Sequence, residues 1–236
     1  MKKIKINDIS NYELFNDRGA MGNIYYTDSE DILMKIFKRN IDKSDYKKWK
    51  LLSKIDLDYF TKPLDLIYFE EKYKYSPILK GYTMNKKEGM IFEKIAEIDN
   101  LILIKNLLIA MEKLEDDLKK LSSNKIRIFD LHDRNILYNN EKNEINIIDT
   151  DGYGCGDCYD IFHSLYYENL LSVAHIVLYC LHINSFNIKN VKTMKDLIKY
   201  ISEKINKFEY LYNKDIKSLN DIRSLNRTKK RILFNI

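Results

Sequence analysis

The chain has 236 residues, 45% hydrophobic and 12% aromatic, so it can bury a sizeable core as one large domain or two small lobes, and it is not disordered. Lys and Arg number 40 against 35 Asp and Glu, a net charge of +5 that permits an acidic partner or substrate without requiring nucleic acid. With 3 Cys, no apolar run long enough to span a bilayer and a basic N-terminus lacking an apolar stretch, the composition argues against a disulfide scaffold, a membrane span and a secretory signal; the expected location is cytoplasmic. In chain order, residues 12–15, 23–27 and 31–37 alternate like strands, separated by turn-forming Asn16-Asp17-Arg18-Gly19 and Asp28-Ser29-Glu30-Asp31. Residues 42–55 read as a helix capped by Asp42 or Ser44, with Tyr46, Trp49, Leu52 and Ile55 on one face. Two more strands are expected at 65–70 and 78–84. Ile104, Leu107, Leu108, Met111, Leu114, Leu118 and Leu121 then mark one face of a long helix. Residues 126–150 hold short apolar runs, 169–183 a mostly apolar helix, and Met194 to Leu211 an amphipathic one. The tail from Arg227 is basic.

Glycine is scarce, at 7, and five of these fall in two clusters: Gly19 with Gly22, and Gly152 with Gly154 and Gly156. Each cluster is either an ordinary loop or a place where backbone closes on a ligand. The segment 129–137, FDLHDRNIL, sets Asp130 five residues before Asn135, and 147–152, IIDTDG, supplies Asp149 after an apolar run. A carboxylate and a carboxamide on one loop, with a second carboxylate ending a neighbouring strand, suit a magnesium–nucleotide site. Mg²⁺ takes hard oxygen ligands, and a further carboxylate can accept a proton from an attacking hydroxyl.

These segments resemble the eukaryotic-type protein kinase fold. FDLHDRNIL looks like the catalytic loop, and IIDTDG like the metal-binding start of the activation loop. Residues 19–25 look like the glycine-rich loop, with Asp17 in place of its first Gly, and 33–37 like the strand bearing the phosphate-binding Lys. The likeness covers about residues 12–183. It implies an α+β, two-lobed fold: a small antiparallel-sheet lobe over about 1–84, a hinge over about 85–89, and a helical lobe over about 90–236 with a reduced activation segment. It implies a minimal phosphotransferase using ATP and Mg²⁺ on protein Ser/Thr hydroxyls. By the same resemblance, Asp130 is the catalytic base, Asn135 and Asp149 the Mg²⁺ ligands, and Lys35 the contact to the α- and β-phosphates. Gly19 and Gly22 flank the phosphate loop. Met84 backs the adenine pocket, and Asn85, Lys86 and Lys87 form the hinge. His132 either reaches the γ-phosphate or braces its loop.

The departures are specific. The helix over 42–55 has no Glu; Lys48 falls near the expected acidic position, and Asp45 is the nearest carboxylate that could answer Lys35. Ile128-Phe129 replaces the usual His-Arg, which removes an obvious receptor for a phosphorylated activation loop. Asn169 stands where the family usually has a buried Asp, and only about 20 residues separate it from Asp149. The hydroxyls of the loop just after Asp149 include Thr150, Tyr153, Tyr159 and Ser164. Cys155, Cys158 and His163 allow a minority zinc reading, with His175 or Cys180 as fourth ligand. The alternatives are a small-molecule kinase of the aminoglycoside or choline type, whose loops often read Asp-Leu-His, and a pseudokinase that binds nucleotide without catalysis. The expected partner is a protein substrate.

Overall fold

The alternating apolar pattern of the N-terminal part forms a six-stranded sheet in a computed structural model that describes residues 1–17, 19–69, 77–97, 101–155, 162–180 and 191–212. Its strands are β1 (Lys3–Ile6), β2 (Leu14–Asn16), β3 (Gly22–Tyr26), β4 (Ile32–Phe37), β5 (Leu66–Phe69) and β6 (Ile78–Asn85), with helix α1 (Lys43–Leu52) between β4 and β5. The spatial order is β1-β5-β6-β4-β3-β2. All neighbours pair antiparallel except β1, which runs parallel to β5 with Ile4 opposite Ile67. The sheet is therefore mixed, a correction to the antiparallel expectation. The Lys-Ile-Lys-Ile alternation at 3–6 carried the strand signal that the sequence reading passed over.

Period-two alternation divides β4 between two faces. Leu33 and Phe37 join Trp49, Leu66, Tyr82 and Met84 in one apolar cluster, while Met34 joins Ile6 and Ile67 in the other. Trp49 of α1 lies 5.1 Å from the Phe37 ring and 4.9 Å, edge-on, from Tyr82. A fully buried indole of this kind contributes about 3 kcal/mol. Asp42 caps α1 by accepting from Ser44 N and Asp45 N, while Asp45 returns a bond from Asp42 N, a complete capping box.

The chain divides into two compact units, Met1–Lys87 and Glu88–Ile236. In the second, β7 (Met90–Ile91) leads into α2 (Phe92–Glu97), α3 (Leu101–Met111) and α4 (Leu114–Ser123). Next come β8 (Ile126–Arg127), β9 (Ile136–Asn139), β10 (Glu144–Ile147), β11 (Gly154–Cys155), α5 (Phe162–Cys180) and α6 (Met194–Tyr212). β10, β9 and β7 form a three-stranded antiparallel sheet, and β8 pairs with β11. The architecture is thus α+β.

The single long helix expected through residue 121 is two helices. At the junction Glu112 N bonds Ile109 O and Lys113 N bonds Ala110 O, the tighter i to i+3 pattern that ends an α-helical turn. Leu107, Leu108, Met111, Leu114, Leu118 and Leu121 are all buried, so the apolar face runs on across the break and hides it from the periodicity. The apolar helix expected from 169 begins at Phe162, which shortens the stretch after Asp149 further. The expectations for Glu70, Gly156, Cys158, Tyr159, residues 181–183 and the tail from Arg227 lie outside the described residues, as do the side chains of Ile104, His163, Ser164, Cys180 and Leu211.

Candidate functional site

In the second unit, the loop after β8 and the exit of β10 bring four predicted residues onto one scaffold. A short 3-10 turn over Asp133–Asn135 follows His132, and Asn135 N donates to His132 O at 2.9 Å. The next residues enter β9, whose hairpin with β10 sets Ile136 opposite Ile147. Ile148 N then donates to Asn135 O at 2.8 Å, which ties the start of the Asp149 segment to the Asp130 loop. Asn135 is buried, Asp149 half-buried and Asp130 exposed.

The Asn135 amide is oriented by its neighbours. Nδ2 donates to Asp130 O over a long 3.5 Å and lies 3.3 Å from His132 Nε2. This contact joins the Asn135 carboxamide to the His132 ring within one loop. The same bonds leave Asn135 Oδ1 as the carboxamide's available hard acceptor. Asp149 adds carboxylate oxygens, with Oδ1 also accepting from Asp151 N at 3.5 Å. Among the described residues no three His, Cys, Asp or Glu side chains converge on a metal position. Asn135 and Asp149 are the candidate pair, a donor set that suits Mg²⁺ completed by water and phosphate oxygens.

Asp130 and Asp149 share an uncommon backbone state, with φ of +56° and +62°. The left-handed region costs a non-glycine residue about 1 kcal/mol, and such residues gather at functional sites. The glycines nearby make the close approach possible. A Cβ on Gly152 would lie 2.8 Å from Asp130 Cβ and 3.2 Å from Phe129 O, so the segment after Asp149 rests directly on the candidate base.

Sequence reasoning missed the anchor beneath this loop. Asn169 of α5 is 0% exposed. Its Oδ1 accepts from Ile128 N at 2.8 Å, and its Nδ2 donates to Ile126 O at 2.9 Å and Ser122 Oγ at 3.0 Å. Its position opposite a family Asp was noticed, but not that its amide both accepts and donates. Tyr153, read as a loop hydroxyl, is 3% exposed, and burial, helped by the Asp149 charge, pushes its hydroxyl well above the ordinary range. Thr150 is buried as well. Cys155 of β11 is exposed.

In the first unit, Lys35 lies on the aromatic face of β4 between Leu33 and Phe37, opposite Tyr82 of β6. It is 4% exposed, its Nζ 5.6 Å from the Phe37 ring centre. Met84 pairs with Leu33 on the same face. Asn85 closes β6 opposite Ile32. Lys86 N donates to Asp31 O at 2.7 Å, and Lys87 Nζ to Asp58 O at 2.9 Å. The glycines have a local reason. A Cβ on Gly22 would lie 2.5 Å from Ile36 O, and one on Gly19 2.6 Å from Gly22 O, so the β2–β3 turn folds tightly on itself. Lys38 Nζ donates to Gly19 O at 3.1 Å across it.

Asp45 faces Arg39. The guanidinium grips both carboxylate oxygens, at 2.5 and 2.8 Å, with Lys48 Nζ at 3.9 Å. The Arg39 bonds hold the Asp45 carboxyl below its ordinary range against the opposing effect of burial. The carboxylate raised as a counterpart to Lys35 thus has Arg39 as its bidentate partner.

Set against family models and against curated proteins, the sequence matches none.

Proposed function

We propose that the protein is an ATP- and Mg²⁺-dependent phosphotransferase with the two-lobed organisation of a minimal protein kinase, acting on Ser/Thr hydroxyls of proteins. The observation that carries the reading is the scaffold shared by Asp130, Asn135 and Asp149. A base candidate stands exposed, two hard-oxygen donors lie deeper, and backbone bonds fix one to the other. Asp130 would orient the acceptor hydroxyl and take its proton on a carboxylate oxygen. Asn135 Oδ1 and Asp149 would hold Mg²⁺, which when bound neutralises phosphate charge. Lys35, fixed along β4, would present a point charge to the phosphates. The loop between Gly19 and Gly22 would offer backbone N–H groups to them. Met84 would meet the adenine ring. Because the Lys86 amide is engaged with Asp31, hydrogen bonding to adenine would fall to the backbone of Asn85 and Lys87.

The test is a thermal-shift titration with ATP at millimolar Mg²⁺. Saturation at a hundredfold excess over Kd stabilises by about 2.7 kcal/mol. Asp149→Ala should abolish the Mg²⁺-dependent part. No response of the wild type would overturn the reading. A second reading, nucleotide binding without transfer, draws on the helix over 42–55, which contains no Glu. Binding with no transfer to protein or to small hydroxyl acceptors would favour it.

A further inference from the structure

Phe129 directly precedes Asp130 and is 45% exposed, a large aromatic ring left partly in water beside the candidate base. Two contacts explain its place. The ring lies against Gly154 of β11, where a Cβ would come 2.5 Å from Phe129 Cε2 and 3.1 Å from Cδ2. The Arg127 guanidinium stands 4.8 Å from the ring centre. Arg127 is itself anchored, its Nε 3.1 Å from Glu168 Oε2 on α5. The adjacent Asn169 holds Ile128 N, and Ser172 Oγ donates to Ile128 O at 3.3 Å. Helix α5 therefore fixes residues 126–128. The 152–155 segment has two register pairs with β8 and the close approaches at Gly152 and Gly154. A two-residue ladder is marginal alone.

We propose that Phe129 is a positioning residue: its ring, stacked with Arg127 and seated on Gly154, clamps the 152–155 segment against Asp130 by packing. The inference rests on the reading of Asp130 as the base. It adds that the segment is held by an aromatic contact, with no phosphate needed to pin it.

The experiment uses the full chain and compares wild type, Phe129→Ala, Phe129→Tyr and Gly154→Ala. Amide hydrogen exchange is read over 152–155, and kcat and KM for ATP are measured in phosphoryl transfer. Phe129→Ala is expected to speed exchange over 152–155 roughly tenfold, the effect of losing a contact of this class. It should lower kcat by about tenfold with KM for ATP within about twofold. Phe129→Tyr, which keeps the ring, should restore both. Gly154→Ala crowds the ring from the other partner and should reproduce the exchange change even if Phe129→Ala does not fold. Wild-type exchange in Phe129→Ala or in Gly154→Ala, or no rescue by Phe129→Tyr, overturns the proposal. Exchange that responds as expected in a chain with no transfer activity, wild type included, supports the clamp and counts against the phosphotransferase reading instead.

Discussion

Replacing Asn169 isolates the anchor beneath the candidate catalytic loop. The side chain is wholly buried and makes three hydrogen bonds, accepting from Ile128 N and donating to Ile126 O and Ser122 Oγ. Asn169→Ala leaves a buried N–H and a buried C=O without partners, each at about 1–3 kcal/mol, for a total of roughly 2–6 kcal/mol. At about 2–4 °C per kcal/mol for a chain of this size, the melting temperature should fall by about 10 °C. Asn169→Asp is the sharper change. A carboxylate can still accept from Ile128 N, but it faces Ile126 O as acceptor against acceptor. The Ser122 hydroxyl cannot readily help, since it already donates to Leu118 O at 2.7 Å. The new carboxyl should therefore titrate above its unfolded value of about 3.9, so its neutral form is favoured in the fold. With the folded pKa raised, stability of the variant falls as pH rises through that pKa and recovers as pH drops. Calorimetric or circular-dichroism melting of both variants between pH 5 and 8 reads this directly. An Asn169→Asp protein as stable as wild type at pH 7 would refute the donor roles assigned to the amide.

Three further outcomes follow from the geometry. Gly152→Ala should lower phosphoryl transfer by roughly tenfold or more while the fold melts as before, because its Cβ would displace Asp130; full activity would show that the segment moves freely. The Asp45 carboxyl is held low chiefly by Arg39, so its stabilisation is complete above about pH 4 and is lost as pH falls through the folded pKa. Asp45→Asn should cost about 1 kcal/mol at neutral pH and flatten this acid limb in melting curves; an unchanged limb would contradict the pairing. With Tyr153 and Thr150 buried, complete phosphatase treatment should leave initial rates unchanged, as checked by intact mass and assay; a collapse of activity would place control on a phosphate after all.

Much of the first unit could be read from residues alone. Leu33, Lys35 and Phe37 alternate as a strand facing Trp49, and Asp42, one of the two caps expected with Ser44, marks the start of α1. The parallel β1 was overlooked because Lys3 to Ile6 was tested only as a secretory signal, and rejected, and not as an alternation. The break at Glu112 is silent in the pattern, since the apolar face continues through it. In the second unit the motif residues were legible, but their support was not. Positive φ at Asp130 and Asp149 depends on tertiary fit, hinted at only by Gly152. Asn169 lies far along the chain from the backbone it anchors, a separation that local pattern cannot bridge.

The central claim is that Asp130 accepts the proton of an acceptor hydroxyl during phosphoryl transfer. The most direct measurement is transfer of radiolabelled γ-phosphate from Mg²⁺-ATP to protein acceptors, comparing wild type with Asp130→Asn at saturating nucleotide. The account predicts that Asp130→Asn keeps its nucleotide-induced thermal stabilisation and loses transfer by about 100-fold or more. Near-wild-type transfer by Asp130→Asn, or none by the wild type, would contradict it.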